Sequence, residues 1–268
     1  CLSDISFRAL HMLSNSDYIA GEDTRSVRSL FKLLKISKPV KSIISYHDHS
    51  SAHTRGKIIE LIKQGKSVAL VSDAGTPLIS DPGYKLVKTT IEEGFEVFSV
   101  PGPSSVIAAL TVSGLPTDTF SFLGFLPNTK SKKKKLLETY LNLGSSLIIF
   151  ESGKRLQKTL ELLAETCRPS TEICICRELT KLNEEVTRFK AQEGIKVTKK
   201  MRSLKGEFVI VVGKNEARDF DLKNLDEQLR KIKKSMSMKD SVDFLAEKLN
   251  IPKKIIYKKA LTIFKDNN

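Results

Sequence analysis

The chain reads as an α/β protein: two α/β domains followed by a small helical extension. Three observations predict this. Short apolar runs alternate with helical periodicity up to Gly114, a second and more strand-rich alternation runs over 118–213, and beyond Gly213 the composition turns charged and helical. Repeated β-α-β units imply a mostly parallel sheet with helices on both faces. The expected divisions are 1–114, 118–213 and 214–268, with Gly114-Leu115-Pro116-Thr117-Asp118 as a linker.

Taken in order, Val27, Leu30, Phe31 and Leu34 recur at i, i+3, i+4, i+7, an amphipathic helix over 24–34. Ile58, Leu61 and Ile62 repeat the pattern ahead of Gly65, a helix stop. Val68 to Val71 is a buried strand, and a helix carrying Leu86, Val87 and Ile91 ends at Gly94. A strand is expected from Glu96 to Val100, broken by Pro101-Gly102-Pro103-Ser104-Ser105, where a serine can cap the helix Val106 to Val112. The second domain reads as a strand over 121–125, a lysine-rich loop, a helix, and a strand over 147–150. A helix through Leu163, a strand over 172–177, an extended segment near 186–191 and a strand over 208–212 complete it. In the extension, Val242, Leu245 and Leu249 make one short helix and Ile256, Ala260 and Ile263 another, across Asn250-Ile251-Pro252. Such a pair is either a nucleic-acid-binding helix-turn-helix or a packing appendage.

The 268 residues suffice for two modest cores, and no apolar run approaches a membrane span. Four cysteines without a paired framework point to a reducing cytosol; Cys174 and Cys176 alternate on one face of a buried strand. The formal net charge of +14 favours a polyanionic partner. The excess is clustered at Lys130, Lys132, Lys133, Lys134 and Lys135, at Lys196, Lys199, Lys200, Arg202 and Lys205, and at Lys253, Lys254, Lys258 and Lys259. A basic surface with no partner is the plain alternative.

The most informative stretch is Val-Ala-Leu-Val-Ser-Asp-Ala-Gly-Thr-Pro-Leu-Ile-Ser-Asp-Pro-Gly, residues 68–83. Two acidic, glycine-bearing turns after a strand form a concavity of backbone N–H groups and carboxylates, where open α/β sheets bind ligands. Ordinary turn chemistry accounts for the same residues. Glu22-Asp23-Thr24-Arg25 is either a site or a capped helix start. Arg177-Glu178 is either a site or a structural ion pair. His47, His49 and His53, with Asp48, have a spacing that can ligate a metal; contact with RNA or a domain interface is the favoured reading, and no metal is expected.

With these residues in view, the chain resembles the ribosomal RNA small subunit methyltransferase I family, within the tetrapyrrole methylase superfamily. The resemblance covers almost the whole chain. It rests on Ala20-Gly21-Glu22-Asp23-Thr24-Arg25, Tyr46-His47-Asp48-His49, Ser72 to Gly83, Pro101-Gly102-Pro103-Ser104, Gly124-Phe125-Leu126-Pro127, Arg177-Glu178-Leu179-Thr180-Lys181 and Lys205-Gly206-Glu207-Phe208-Val209, all in the family's order. There are three departures. Family members begin with a strand and a Thr-Pro-Ile-Gly-Asn loop, and this sequence starts at Cys1, where that loop should end; the first strand and part of the cofactor pocket are expected to be missing from it. Gly153-Lys154 stands where relatives often carry Pro-His or Thr-His, and Asn128 where an Arg is common.

The resemblance implies two α/β domains of the tetrapyrrole methylase type with the cofactor cleft between them, and transfer of methyl from S-adenosylmethionine to the 2′-hydroxyl of a cytidine in the decoding region of 16S rRNA. It places Ser72, Asp73, Ala74, Gly75, Ser104 and Ser105 on the cofactor from the first domain, and Glu151, Leu179, Thr180, Gly206, Glu207 and Phe208 from the second. A ribose hydroxyl is a poor nucleophile, so a base or proton sink is wanted. Glu22, Asp23 and Glu178 are the candidates, with Arg25, Arg177 or Lys181 orienting phosphate or lowering the alcohol's pKa. RNA contacts are expected from Lys130, Lys132, Lys133, Lys134 and Lys135 and from Lys154 and Arg155. The partners implied are 16S rRNA, within a 30S subunit or late precursor, and a second copy of the chain, in the cytoplasm. Methylation of a tetrapyrrole is a second reading, against which the basic charge and Ser72-Asp73-Ala74-Gly75 argue; a non-catalytic RNA-binding protein is a third.

Overall fold

Tyr18–Gly21 (β1), Ile43–Ser45 (β2) and Val68–Val71 (β3) form a parallel sheet in the order β2-β1-β3. The computed structural model describes residues 1–47, 50–214, 222–233, 235–249 and 253–265. Strand alternation puts Ile19, Ile43, Ala69 and Val71 on one face. They pack there with Leu13 of α1 (Phe7–Asn15) and with Val27 and Phe31 of α2 (Thr24–Leu33). Ala20, Ile44, Val68 and Leu70 face the other way, onto Ile58 and Ile59 of α3 (Ala52–Lys63) and Leu86 of α4 (Tyr84–Glu92). The apolar stripe expected over 24–34 is therefore the buried side of α2.

One expected strand does not form. Residues 96–100 join no sheet, and Val97 and Phe98 are 46% and 69% exposed. Two carbonyls in and after this segment bond to the α1 region instead: Arg8 Nη2 donates to Ser99 O at 3.0 Å and Ser6 Oγ to Pro101 O at 2.9 Å. An apolar run marks a strand only where a neighbouring backbone can complete its ladder.

The second sheet has the order β4-β5-β8-β6-β7, built from Phe120–Phe125 (β4), Ser146–Ser152 (β5), Glu172–Arg177 (β6), Glu185–Lys190 (β7) and Glu207–Val212 (β8). Only β4 and β5 run parallel; the other pairings are antiparallel. One face, with Leu147, Ile149, Ile173, Ile175, Ile210 and Val212, is covered by α6 (Lys130–Leu141), α7 (Gly153–Thr166) and α8 (Gly194–Thr198). The other face carries Ile148, Cys174, Cys176, Val209 and Val211 under Val106, Ala109 and Leu110 of α5 (Ser105–Ser113). Helix α5 thus packs on the second sheet although it lies in the stretch 1–114. Full burial of one such Leu, Ile or Val contributes about 1.5–3 kcal/mol. Cys174 and Cys176 share a face as expected, buried, unoxidised and 3.9 Å apart at sulfur.

Contacts divide the chain into Cys1–Lys214 and Asn215–Asn268. In the second unit α9 (Leu222–Ile232), α10 (Met238–Leu249) and α11 (Lys253–Lys265) enclose Leu225, Leu229, Val242, Leu245, Ile256, Ala260 and Ile263. Lys259 Nζ meets Asp226 Oδ2 at 2.9 Å. The turn Asn250-Ile251-Pro252 lies outside the described residues. No described helix is long and apolar enough to cross a membrane.

Candidate active site

The ends of β1 and β3 deliver acidic residues to one place. Glu22 follows β1, Ser72 and Asp73 follow β3, and Asp81 comes back on the second turn. Glu207, at the start of β8, approaches from the second sheet. Asp81 is half-buried, and its carboxyl is pushed up to about 6. Burial is the largest cause; the charges of Glu22, Asp73 and Glu207 add to it, while the Ser72 hydroxyl pulls the other way. The loop holding Asp81 is strained, with Leu78 at φ 73° and Ser80 at φ 63°. Left-handed backbone at non-glycine residues persists where the surroundings over-determine it, and it clusters at functional sites. Reasoning from sequence assigned the first turn of this motif and left Asp81 without a role. The available signal was the repetition of a Ser-Asp turn within one loop.

Asp23 is engaged at the start of α2. It caps α2, accepting from Arg25 N at 2.8 Å, and pairs with the Arg25 guanidinium at 2.7 Å. The Arg25 hydrogen bonds hold its carboxyl down at about 2. The structure gives Asp23 the capped helix start that was one of the two readings. Arg25 is spent on that pair but stays exposed and within electrostatic reach of Asp73. Glu22 stays with the acidic group.

Glu178 is a clamp. Its Oε1 accepts from Glu207 N at 2.9 Å and from Lys181 Nζ at 3.0 Å, and its own N–H donates to Glu207 O at 3.0 Å. The Glu207 N–H, followed by Lys181, keeps its carboxyl below the ordinary value, which disfavours proton uptake. Lys181 also reaches Glu207 Oε2 at 2.9 Å. Glu178 and Thr180 sit at φ 51° and 64°. Gly206, at φ 110°, faces this carboxylate, and a Cβ there would lie 2.6 Å from Glu178 Oε1. Gly206→Ala is expected to open the clamp and destabilise the protein by about 1–3 kcal/mol, measured by urea unfolding. Arg177 does not pair with Glu178. It is buried, donating from Nε to Lys205 O at 2.8 Å and from Nη1 to Asn183 O at 3.2 Å, with Glu185 at 3.7 Å.

The residues expected to hold S-adenosylmethionine fall into two groups. Asp73, Ala74 and Gly75 are exposed, and open space lies beside Gly75 and Gly102. Ser72 Oγ donates to Ala74 O at 3.0 Å, and Thr76 Oγ1 to Pro103 O at 2.9 Å, which ties this turn to the one before α5. Ser104, at the N-cap of α5, makes no side-chain cap bond, so its hydroxyl stays available, and Ser105 begins the helix. Thr180 is exposed and Leu179 half-buried. This set offers backbone donors, hydroxyls, a carboxylate and an apolar edge, which fits a ligand with an ammonium, a carboxylate, a ribose and an adenine.

The side chains of Glu151 and Phe208 are buried, unlike that set. Phe208 is 2% exposed in the core of the second sheet. Glu151 is 1% exposed, with Thr159 Oγ1 donating to it at 2.6 Å, Ser152 N at 2.8 Å and Arg155 Nε at 3.1 Å. Lys133, expected to contact RNA, is also withdrawn. It is 7% exposed, reaches Thr159 Oγ1 at 3.3 Å and lies 4.0 Å from Glu151. Its position on the inner face of α6, which begins at Lys130 where a loop was expected, is the reason. Arg155 is turned inward too, bonding the Leu126 carbonyl. Lys130 pairs with Glu165 at 3.0 Å and Lys134 lies 3.9 Å from Glu138, while Lys132, Lys135 and Lys154 are exposed. Asp48 and His49 lie outside the described residues. Among the described residues no three His, Cys, Asp or Glu side chains are grouped to hold a metal ion.

Residues 1–194 match the family described as Tetrapyrrole (Corrin/Porphyrin) Methylases. A uroporphyrin-III C-methyltransferase from Thermus thermophilus, solved in complex with S-adenyl homocysteine, superposes with a TM-score of 0.52 at 15% identity, over 79% of this chain and 91% of that one. That family match, over most of the chain and consistent with the two-sheet fold, makes the protein a methyltransferase of the tetrapyrrole methylase class. Among curated proteins, ribosomal RNA small subunit methyltransferase I of Hydrogenobaculum sp. (strain Y04AAS1) is 43% identical over 80% of this chain and 91% of its own length. The enzyme of the same name from Rickettsia prowazekii (strain Madrid E) is 41% identical over 98% and 87%. The chain belongs to the ribosomal RNA small subunit methyltransferase I family.

Proposed function

We propose that this S-adenosylmethionine-dependent methyltransferase of ribosomal RNA methylates the 2′-hydroxyl of a cytidine ribose in the decoding region of 16S rRNA, with Asp81 as proton acceptor. The observation that carries the assignment of Asp81 is its placement: half-buried, in a strained loop, and within electrostatic reach of Glu22 and Asp73 after the strands of one sheet and of Glu207 at the start of β8. Asp73, Ala74, Gly75, Ser104, Ser105, Leu179 and Thr180 would hold S-adenosylmethionine, which would supply an electrophilic methyl group on its cationic sulfur. The ribose oxygen would gain the methyl as the sulfur–methyl bond breaks, the bonding pair staying on sulfur and leaving neutral S-adenosylhomocysteine; Asp81 takes the hydroxyl proton. A carboxyl of ordinary acidity holds a proton poorly near neutrality, and the surrounding negative charges make Asp81 a better acceptor. Lys132, Lys135 and Lys154 supply exposed positive charge for the RNA backbone. Action on a 30S subunit or late precursor, association into a homodimer and a cytoplasmic setting belong to the same reading, and light scattering of the purified protein tests the dimer.

Titration of S-adenosylmethionine into the protein tests the cofactor assignment. One saturable site is expected, weakened about tenfold or more by Asp73→Ala, the loss of a hydrogen bond to a charged group. Equal affinity in the variant would remove Asp73 from the pocket.

A further inference from the structure

A second concavity, lined by Arg177, Glu178, Asn183, Arg202, Ser203, Lys205 and Gly206, has a volume of about 480 Å³. It lies between the end of β6 with its following loop and the segment that leads into β8. Arg177 joins the two walls through its bonds to the carbonyls of Asn183 and Lys205. Ser203 Oγ accepts from Lys205 N at 3.0 Å, which shapes the second wall.

The charge of this cavity is unevenly committed. Glu178 is answered by Lys181 and by the Glu207 N–H, and Arg177 has Glu185 at 3.7 Å. Arg202 and Lys205 are exposed, and no described residue forms an ion pair or hydrogen bond with either side chain. Two cations without a partner among the described residues, lining one cavity with a buried guanidinium, a serine hydroxyl and an asparagine, suit a phosphate group. Its floor, Gly206, is followed directly by Glu207, which acts on Asp81. The cavity lining is therefore adjacent in sequence to a carboxylate whose charge reaches the proposed proton acceptor.

We infer that the Arg177–Arg202–Lys205 cavity holds a backbone phosphate of the RNA strand that is methylated, next to the target ribose. This rests on the RNA-methyltransferase reading. A polynucleotide is favoured over a free anion because the chain carries +14 net charge and Glu207, next to the cavity lining, is within electrostatic reach of Asp81. The guanidinium fork of Arg202 matches phosphate geometry, Lys205 adds a point charge, and Arg177 holds the two walls together.

The experiment compares the protein with Arg202→Gln/Lys205→Gln and with a control of equal charge loss, Lys57→Gln/Lys85→Gln, both exposed on α3 and α4. Binding of a 16S rRNA transcript is measured across a salt series, and S-adenosylmethionine binding in parallel. The inference expects the cavity variant to bind RNA about tenfold or more weakly, with the slope of log K against log salt reduced by about one, and to bind S-adenosylmethionine unchanged. An RNA affinity and slope equal to those of the control variant overturn it and leave the methyltransferase reading standing. Saturable binding of inorganic phosphate, lost in the cavity variant while RNA affinity stays unchanged, assigns the cavity to a free anion and also overturns it. Absence of RNA binding by the unmodified protein overturns the cavity assignment, and the S-adenosylmethionine titration then shows whether the methyltransferase reading falls with it.

Discussion

Asp81→Asn is expected to lower kcat by about 10²–10⁴-fold, the usual contribution of a positioned acid or base, while S-adenosylmethionine affinity holds. The pH profile separates this role from a structural one. A carboxyl accepts a proton only when ionised, and Asp81 titrates at about 6. Activity of the unmodified enzyme should be level above that value and fall about tenfold per pH unit below it; the variant should lack this limb. Stability moves in the opposite direction. The folded state raises the pKa of Asp81, so ionisation of this group opposes folding, and the penalty sets in as pH rises from the ordinary carboxylate range through about 6. Removing the charge should therefore raise the melting temperature at pH 7. A variant that is slower and more stable is the signature of a charge kept for function. A lower melting temperature with a proportional loss of folded enzyme would mark Asp81 as a structural residue instead.

Glu151→Ala should cost about 3–5 kcal/mol of folding free energy, read from urea unfolding. The side chain lies among Thr159, Arg155, Ser152 and Lys133, and Lys133 is itself 7% exposed. Burial holds the Lys133 pKa below its ordinary value, and Glu151 opposes that shift. Deleting the carboxylate leaves a buried ammonium with a hydroxyl as its only nearby hydrogen-bond partner among the described residues. Lys133→Met in the same background should restore part of the loss, because it removes the charge and keeps the volume. If the single variant is too unstable to purify, Lys133→Met alone and the double variant still report the coupling. A cost below about 1 kcal/mol for Glu151→Ala would show that the pair is solvated.

Much of the architecture was legible because it is written in periodicity. The stripes of α2, α10 and α11 each became a buried face, and Glu172–Arg177 appears as a strand over the expected residues. The strands β1 and β2, of four and three residues, are too short to show a period of two. Residues 96–100 have strand composition, but Arg8 and Ser6 take carbonyls that a ladder would need. The family motifs located the site, yet they could not distinguish a side chain facing the cleft from one facing the core. Asp23, Glu151, Lys133 and Phe208 sit in or beside such motifs and clusters and are spent on capping, ion pairing and packing. Asp81 was missed for the converse reason. A turn aspartate has an ordinary local explanation, and its position among Glu22, Asp73 and Glu207 depends on three separate strand ends.

The central claim, methyl transfer to a ribose hydroxyl of 16S rRNA, is tested most directly by the position of the methyl group. The protein is incubated with S-adenosylmethionine labelled in the methyl group and with 16S rRNA, free or in 30S subunits, and the RNA is hydrolysed in alkali. Alkaline cleavage needs a free 2′-hydroxyl, so 2′-O-methylation leaves the label in an alkali-resistant dinucleotide with cytidine at its 5′ side. That product is the expected result. Label released in mononucleotides would place the methyl on a base, and RNA without label in either form would contradict the account.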